Sequence, residues 1–215
     1  MKQTSSLDKN ISLINDGYAK HIFIKEIRSE NVMNKILSLI IKENHPAYSW
    51  AKQQSDSVNA IGHIGTHIDC YTRTPKESNY KLKVLVIDCR AGMPDVNDLS
   101  EYTITDKALI LYTGVCDKYG YGTKEYGNAE TFLSEESLIL ILSQKPKFIL
   151  IDGCGIGKHG EEHIKFDKKC EENDCFVIEN ILLTKEIVDN IKEVDISIEL
   201  EYNSTGKPCK VISIN

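Results

Sequence analysis

Three side chains able to bind a metal ion fall within seven residues of this 215-residue chain: His63, His67 and Asp69, in the stretch IGHIGTHIDC. Imidazole nitrogens and a carboxylate together suit Zn²⁺ or Mn²⁺, and the two oxygens of Asp69 allow it to bridge to a second ion. An ion with an open coordination position polarises a substrate carbonyl and brings the pKa of its water towards neutrality, so hydrolysis is the natural chemistry of such a set. The spacing restricts how the segment can fold. In a regular strand His63 and His67 face the same side but stand about 13 Å apart, too far for one ion whose ligand bonds are about 2 Å long. A helix would bring positions i and i+4 together, but Ile64, Gly65, Thr66 and Ile68 are poor helix formers in combination. The remaining expectation is an extended segment bent sharply at Gly65, which tolerates backbone angles closed to other residues and folds His67 back towards His63.

The elements that must hold this segment are written as short apolar runs. EIRSENVMNKILSLIIKEN carries Ile27, Val32, Ile36, Leu39 and Ile40 at near-helical spacing, which predicts an amphipathic helix on the core, with Ser29 or Asn31 as cap. From Ser57 the character turns to β: SVNAIGHIGTHIDC, LKVLVIDC and ALILYT are rich in β-branched residues and bounded by polar or turn residues. SEESLILILSQK reads as a helix capped by Ser134, and KFILID as a strand running to Asp152 and the glycine-rich turn GCGIGKHG. A polar helical segment over Glu161 to Glu172 precedes the strand FVIEN, which ends at Glu179. TKEIVDNI is a helix capped by Thr184, and VDISIELEY and CKVISIN close the chain as strands separated by the turn NSTGKP. Helices interspersed among more numerous strands predict a mixed α/β domain in which a helical layer covers β-structure. Neither a repeat nor a Gly/Pro/Ser-rich linker divides the chain, so residues 1–215 read as one domain.

Composition narrows the function classes. A 41% hydrophobic and 27% charged chain with a net charge of −6 is an ordinary globule without the basic footprint of a nucleic-acid binder. Its polar, mixed-charge first residues lack a secretory h-region, and no later apolar run reaches spanning length, so the expectation is a cytoplasmic protein with no membrane partner. The seven cysteines are odd in number, scattered and without a C-x-x-C pair, which points to reduced thiols rather than a disulfide framework or zinc ribbon.

HIGTHID resembles the H-x-G-T-H-x-D signature of the cyclase-like metal-dependent hydrolases, the family that includes bacterial kynurenine formamidase and isatin hydrolase. The likeness continues in order. LYTG at 111–114 resembles the family's L-x-T-G strand end, YGTKEYGNAETFLSEESLILIL its aromatic loop and L-S-x-E helix start, and FILIDG at 148–153 its next strand. FVIENILL resembles the V-x-I-x-E-N-L segment that carries a metal-site glutamate, here Glu179, and the last residues resemble its closing G-x-P-x-R hairpin, with Lys210 in place of arginine. The resemblance spans residues 57–215, whereas residues 1–50 form a divergent N-terminal region, expected to be helical, without the family's D-L-S-H opening.

What the resemblance implies is a layered β/β/α swivelling domain, assembled as a homodimer or homotetramer, that hydrolyses the C–N bond of a small-molecule amide or cyclic amide in arylformamidase fashion. His63, His67 and Asp69 would hold one Zn²⁺ or Mn²⁺, and Glu179 would serve as second-site ligand or as the base that takes a proton from water. Tyr112, Tyr121 and Tyr126 would offer aromatic surface to the substrate. Two departures stand out. The signature normally runs on to P-x-H, whose histidine assists proton transfer; Tyr71 and Arg73 occupy those positions. Arginine cannot accept a proton near neutrality, but its guanidinium can hold a carboxylate or an oxyanion. The family's second-site histidine lies twelve residues before the glutamate, where this chain has Asp167; His163 one turn earlier and His159 are the other candidates. These departures leave two alternatives open: a relative that binds a metal or small molecule without hydrolysis, and a lyase or cyclase on the same scaffold.

Overall fold

The computed structural model describes residues 27–29, 32–48 and 60–215. Nine strands form one sheet: β1 (Ile27–Ser29), β2 (Val32–Ile36), β3 (His67–Asp69), β4 (Asn79–Asp88), β5 (Ala108–Tyr112), β6 (Phe148–Ile151), β7 (Phe176–Glu179), β8 (Glu193–Ile198) and β9 (Gly206–Ile214). Their order is β1-β2-β9-β3-β7-β6-β5-β4-β8, and β8 also pairs with β9, so the sheet closes on itself. Strands β4 to β7 run parallel to one another, while β3, β8 and β9 join by antiparallel ladders.

The side-chain period of two splits the apolar residues of these strands between two cores. Ala108, Ile110 and Tyr112 of β5 turn inward with Phe148, Leu150, Ile178, Ile68 and Val211. Leu109 and Leu111 turn outward with Ile149, Ile151 and Val177, and meet Leu138, Ile141 and Leu142 of the helix Glu135–Ser143 and Phe166 and Cys170 of the helix Glu161–Glu172. That outer pair is the helical layer expected from sequence, and each buried leucine or isoleucine in it contributes about 1.5–3 kcal/mol. The caps are in place: Ser134 Oγ accepts from Ser137 N at 3.0 Å, and Thr184 caps Lys185–Asn190. All seven cysteines are free and six are buried. No helix among the described residues is long and apolar enough to cross a membrane.

The helix expected from Ile27 onward is not there. Instead β1 and β2 pair antiparallel, with Ile27 opposite Asn34, and β2 adds to β9 through Lys35↔Ser213 and Ile36↔Ile212. The apolar spacing satisfied two periods, and pairing with the free edge of β9 chose the shorter one: Leu37 and Leu39 are buried, whereas Ile40 is 75% exposed. Ser29 thus lies in a strand rather than at a cap, and Asn31 and residues 57–59 lie outside the described residues.

Candidate metal centre

The quoted segment folds in three parts. Residues Ala60–His63 make a 3-10 turn rather than the start of a strand, Ile64 to Thr66 bend, and β3 begins at His67. The bend turns on Gly65, whose φ is +71°, and a Cβ there would stand 2.3 Å from the Leu39 carbonyl oxygen. Its amide donates to Tyr121 Oη at 2.9 Å, and its carbonyl accepts from Asn180 Nδ2 and lies 3.0 Å from His67 Nδ1. His67 Nδ1 therefore donates to that carbonyl, and Nε2 is the nitrogen that faces the cavity. The bend brings the His63 and His67 rings to 5.0 Å between centroids, with His63 Nδ1 3.0 Å and His67 Nε2 3.6 Å from Asp69 Oδ1. His63 Nε2 pairs with Thr205 Oγ1 at 3.0 Å, which directs its other nitrogen inward.

Register supplies the rest. Strand β3 pairs with β7 as His67↔Glu179 and Ile68↔Ile178, so the isoleucines enter the inner core while His67, Asp69 and Glu179 face the helix Glu161–Glu172. One turn apart on that helix, His163 and Asp167 point back at them. His163 Nε2 lies 3.4 Å from Asp69 Oδ2, 3.2 Å from Asp167 Oδ2 and 3.4 Å from Glu179 Oε1, and Glu179 Oε2 lies 3.7 Å from His67 Nε2. Two donor groups result, His63–His67–Asp69 and Asp69–His163–Asp167–Glu179, with ligand atoms inside each group no more than 4.8 Å apart. Asp69 belongs to both, Oδ1 facing the first pair of histidines and Oδ2 facing His163.

Buried polar atoms are normally hydrogen-bonded. Here both oxygens of Asp167, Glu179 Oε1 and His163 Nδ1 are buried without such a partner. Three nearly dry carboxylates oriented on one small volume are costly unless cations balance them, and His, Asp and Glu are the donors Zn²⁺ and Mn²⁺ take. The residues present fit one or two divalent ions.

The charges are strongly coupled in the metal-free chain. Burial lowers the pKa of His67, but Asp69, Glu179 and the Gly65 carbonyl outweigh it and push the imidazole up to about 9. For His163, burial is likewise overridden, by the hydrogen bond to Asp69 and the fields of Glu179 and Asp167, to about 10. Burial first and Asp69 second raise Glu179 to about 7, and the same two causes hold Asp167 well above the carboxylate range. Asp69 goes the other way: its burial is outweighed by His67 and by hydrogen bonds from His163 and His63.

The surrounding residues fix this geometry. Asn180, at φ +57°, donates to Gly65 O, accepts from Tyr126 Oη at 2.5 Å through Oδ1, and takes Thr66 Oγ1 on its backbone oxygen at 2.7 Å. Gly155 approaches so closely that a Cβ would stand 2.5 Å from both Glu179 Oε1 and His163 Cε1. Asp152 is not a ligand: Thr113 N, Thr113 Oγ1 and Gly114 N each donate to its carboxylate at 2.7 Å, bracing the ends of β5 and β6.

The structure thus brings together His63, His67, Asp69, Asp167 and Glu179, and adds His163 beside Asp167 instead of choosing between them. It does not bring Arg73 to them. Glu171, buried on the same helix, accepts the amides of Tyr71, Thr72 and Arg73, while the Arg73 guanidinium reaches Glu171 O at 2.9 Å and Asp174 Oδ1 at 2.7 Å, out in solvent. His159 stacks on the His163 ring at 6.3 Å and contacts Gly127 O, outside both donor groups. Tyr112 lies in the inner core, and Tyr121 and Tyr126 brace Gly65 and Asn180. Asn180, Thr66 and Thr205 were not singled out from sequence; the adjacency of Asn180 to a strand-end glutamate is the one local sign of its role.

Comparison with known proteins bears on the family and the fold. The profile of the Cyclase family, described as "Putative cyclase", matches residues 36–158, more than half of the chain. No curated protein matches the sequence. Among solved structures, a potential metal-dependent hydrolase with cyclase activity superposes with a TM-score of 0.60 at 14% identity, covering 85% of this chain and 98% of that one. Isatin hydrolase A from Labrenzia aggregata superposes at 0.61 with 13% identity, over 85% and 93%. A predicted metal-dependent hydrolase from Bacillus stearothermophilus gives 0.59 at 15% identity, over 85% and 98%. At such identities these structures establish a shared fold, and the profile establishes descent: the chain belongs to the Cyclase family.

Proposed function

We propose that the protein is a metal-dependent hydrolase acting on the C–N bond of a small-molecule amide or cyclic amide. The observation that carries the reading is the convergence of His63, His67, Asp69, His163, Asp167 and Glu179 on one small volume, in which both Asp167 oxygens and Glu179 Oε1 are buried without a hydrogen bond. Zn²⁺ or Mn²⁺ held there supplies Lewis acidity that polarises a carbonyl and makes water reactive at neutral pH. The chain's own groups do the remainder. Asn180 and the Gly65 carbonyl fix the His67 ring, and Thr205 fixes His63. Glu179, whose Oε1 faces the donor group without a hydrogen bond, would accept a proton from water and return it to a leaving nitrogen. Its Oε1 is unpaired, and the missing side chain of Gly155 leaves room over it. This assigns proton transfer to Glu179, since the Arg73 side chain is engaged with Asp174. Tyr121, Cys154, Ile41 and Val115 form an apolar cluster with Tyr126, suited to one face of a small aromatic substrate.

Isatin, which names one of the structural neighbours, is itself a cyclic amide, and this supports the substrate class. The layered β/β/α description belongs to the same proposal: the β8–β9 ladder lies on the inner face of β4–β7 and the helices on the outer face. The test is a screen of formyl-anilines, isatin-like lactams and cyclic imides with protein of measured metal content. Turnover that chelation abolishes and that Glu179→Gln lowers at least about a hundredfold is expected. A metal-loaded protein inert towards every class would favour the binding-only relative, and turnover indifferent to Glu179 would remove it from the mechanism.

A further inference from the structure

The two donor groups differ in chemistry. The first presents His63 Nδ1, His67 Nε2 and Asp69 Oδ1, two imidazoles and one carboxylate oxygen. The second presents His163 Nε2 with Asp69 Oδ2, Asp167 and Glu179, one imidazole against three carboxylates. In the second group the carboxylates are also the atoms with least to satisfy them. Asp167 is 2% exposed with neither oxygen hydrogen-bonded, and Glu179 Oε1 is equally bare.

Imidazole favours zinc, whereas carboxylate oxygen suits manganese and other hard dications that take six ligands. A three-donor set of two histidines and a carboxylate has the composition of a catalytic zinc site with an open position. Three carboxylates, one of them able to offer two oxygens, make the composition of a site for a harder, higher-coordinate ion. We propose that the protein holds an unequal pair: zinc between His63, His67 and Asp69, and a manganese-class ion between Asp69, His163, Asp167 and Glu179, with Asp167 setting the difference. Zinc binds more tightly than manganese to nearly any such donor set, so the proposal concerns the ratio. The preference for zinc over manganese is smaller in the second group than in the first, by about tenfold or more.

This inference rests on the metal-centre reading, and the experiment separates the two. Chelator-stripped protein receives one equivalent of Zn²⁺ and is then titrated with Mn²⁺. Loss of the free Mn²⁺ signal in electron paramagnetic resonance reports binding, and elemental analysis reports both metals. The expected result is one manganese per chain with zinc retained. Asp167→His, which restores a second imidazole, should weaken manganese binding about tenfold or more and take up a second zinc instead. Asp167→Asn, nearly isosteric, should weaken manganese binding without the gain in zinc. Manganese that displaces the first zinc, fails to bind the one-zinc protein, or binds Asp167→His as well as the parent would overturn the unequal pair. Protein that retains no zinc at all would instead overturn the metal-centre reading itself.

Discussion

Filling the centre should expel protons, and the number expelled can be counted from the structure. The nitrogens of His67 and His163 that face the carboxylates belong to imidazoles whose pKa values stand at about 9 and about 10, so both rings are protonated at pH 7.5 in the metal-free protein. A ring nitrogen must lose its proton before it can bind an ion. One ion between His63, His67 and Asp69 therefore releases roughly one proton, and its association constant rises about tenfold per pH unit until the pH passes 9. An ion in the second group also displaces the proton of His163 and whatever proton Asp167 retains, giving a slope of roughly one to two. The sign for folding is opposite. In the metal-free chain the raised pKa of His67 contributes stability that is complete below its unfolded value of 6.5 and is lost as pH rises through about 9. Glu179 acts likewise, its contribution complete below 4.5 and lost through about 7. Metal-free protein should thus melt at lower temperature as pH rises from 5 to 9, while the stabilisation conferred by a fixed concentration of Zn²⁺ grows. Titration calorimetry in buffers of different ionisation enthalpy counts the protons directly. An affinity that is flat from pH 6.5 to 8.5, with no buffer-dependent heat, would refute the placement of these rings among the carboxylates.

Three further outcomes follow from the supporting residues. Glu171→Ala strips the carboxylate that receives the amides of Tyr71, Thr72 and Arg73, and should cost about 3 kcal/mol by denaturant unfolding, whereas Arg73→Ala, a half-exposed pair with Asp174, should cost less than about 1 kcal/mol and leave metal content unchanged. Gly155→Ala forces a methyl group against Glu179 and His163 at φ +91°, and should lower both stability, by about 1–3 kcal/mol, and metal stoichiometry measured by elemental analysis. Asn180→Ala removes the partners of Gly65 O and Tyr126 Oη, and should weaken zinc binding about 10–100-fold in a competition assay with a chromophoric chelator while the fold persists.

Much of this arrangement is legible locally. Unbroken apolar runs in ALILY and FILI announce strands with two buried faces, and the capping serines and threonines announce where helices begin. The H-x-G-T-H-x-D spacing announces a bend, because no regular element satisfies it. What escapes is decided by distant partners. The residues from Ile27 to Ile40 fit a helix until β9 offers an edge, and that edge lies at the far end of the chain. Arg73 looks available until Glu171, 98 residues away, holds its amide. The choice between His163 and Asp167 dissolves once the helix is seen to present both, as the i, i+4 spacing permits.

Strand β3 has only three residues and is held between β7 and β9, with Asp69 opposite Gly206 and His67 opposite both Glu179 and Pro208. Its side-chain period of two means that a slip of one position would turn Ile68 towards the helix and put both ligands in the apolar interior. The register that orients the centre is therefore completed only when the last ten residues dock. Every candidate ligand precedes β9 in the sequence, so the strand that completes their register is made after them. An ion held by these donors would tie the turn before β3 to the helix Glu161–Glu172 and to the end of β7, segments about a hundred residues apart in the chain.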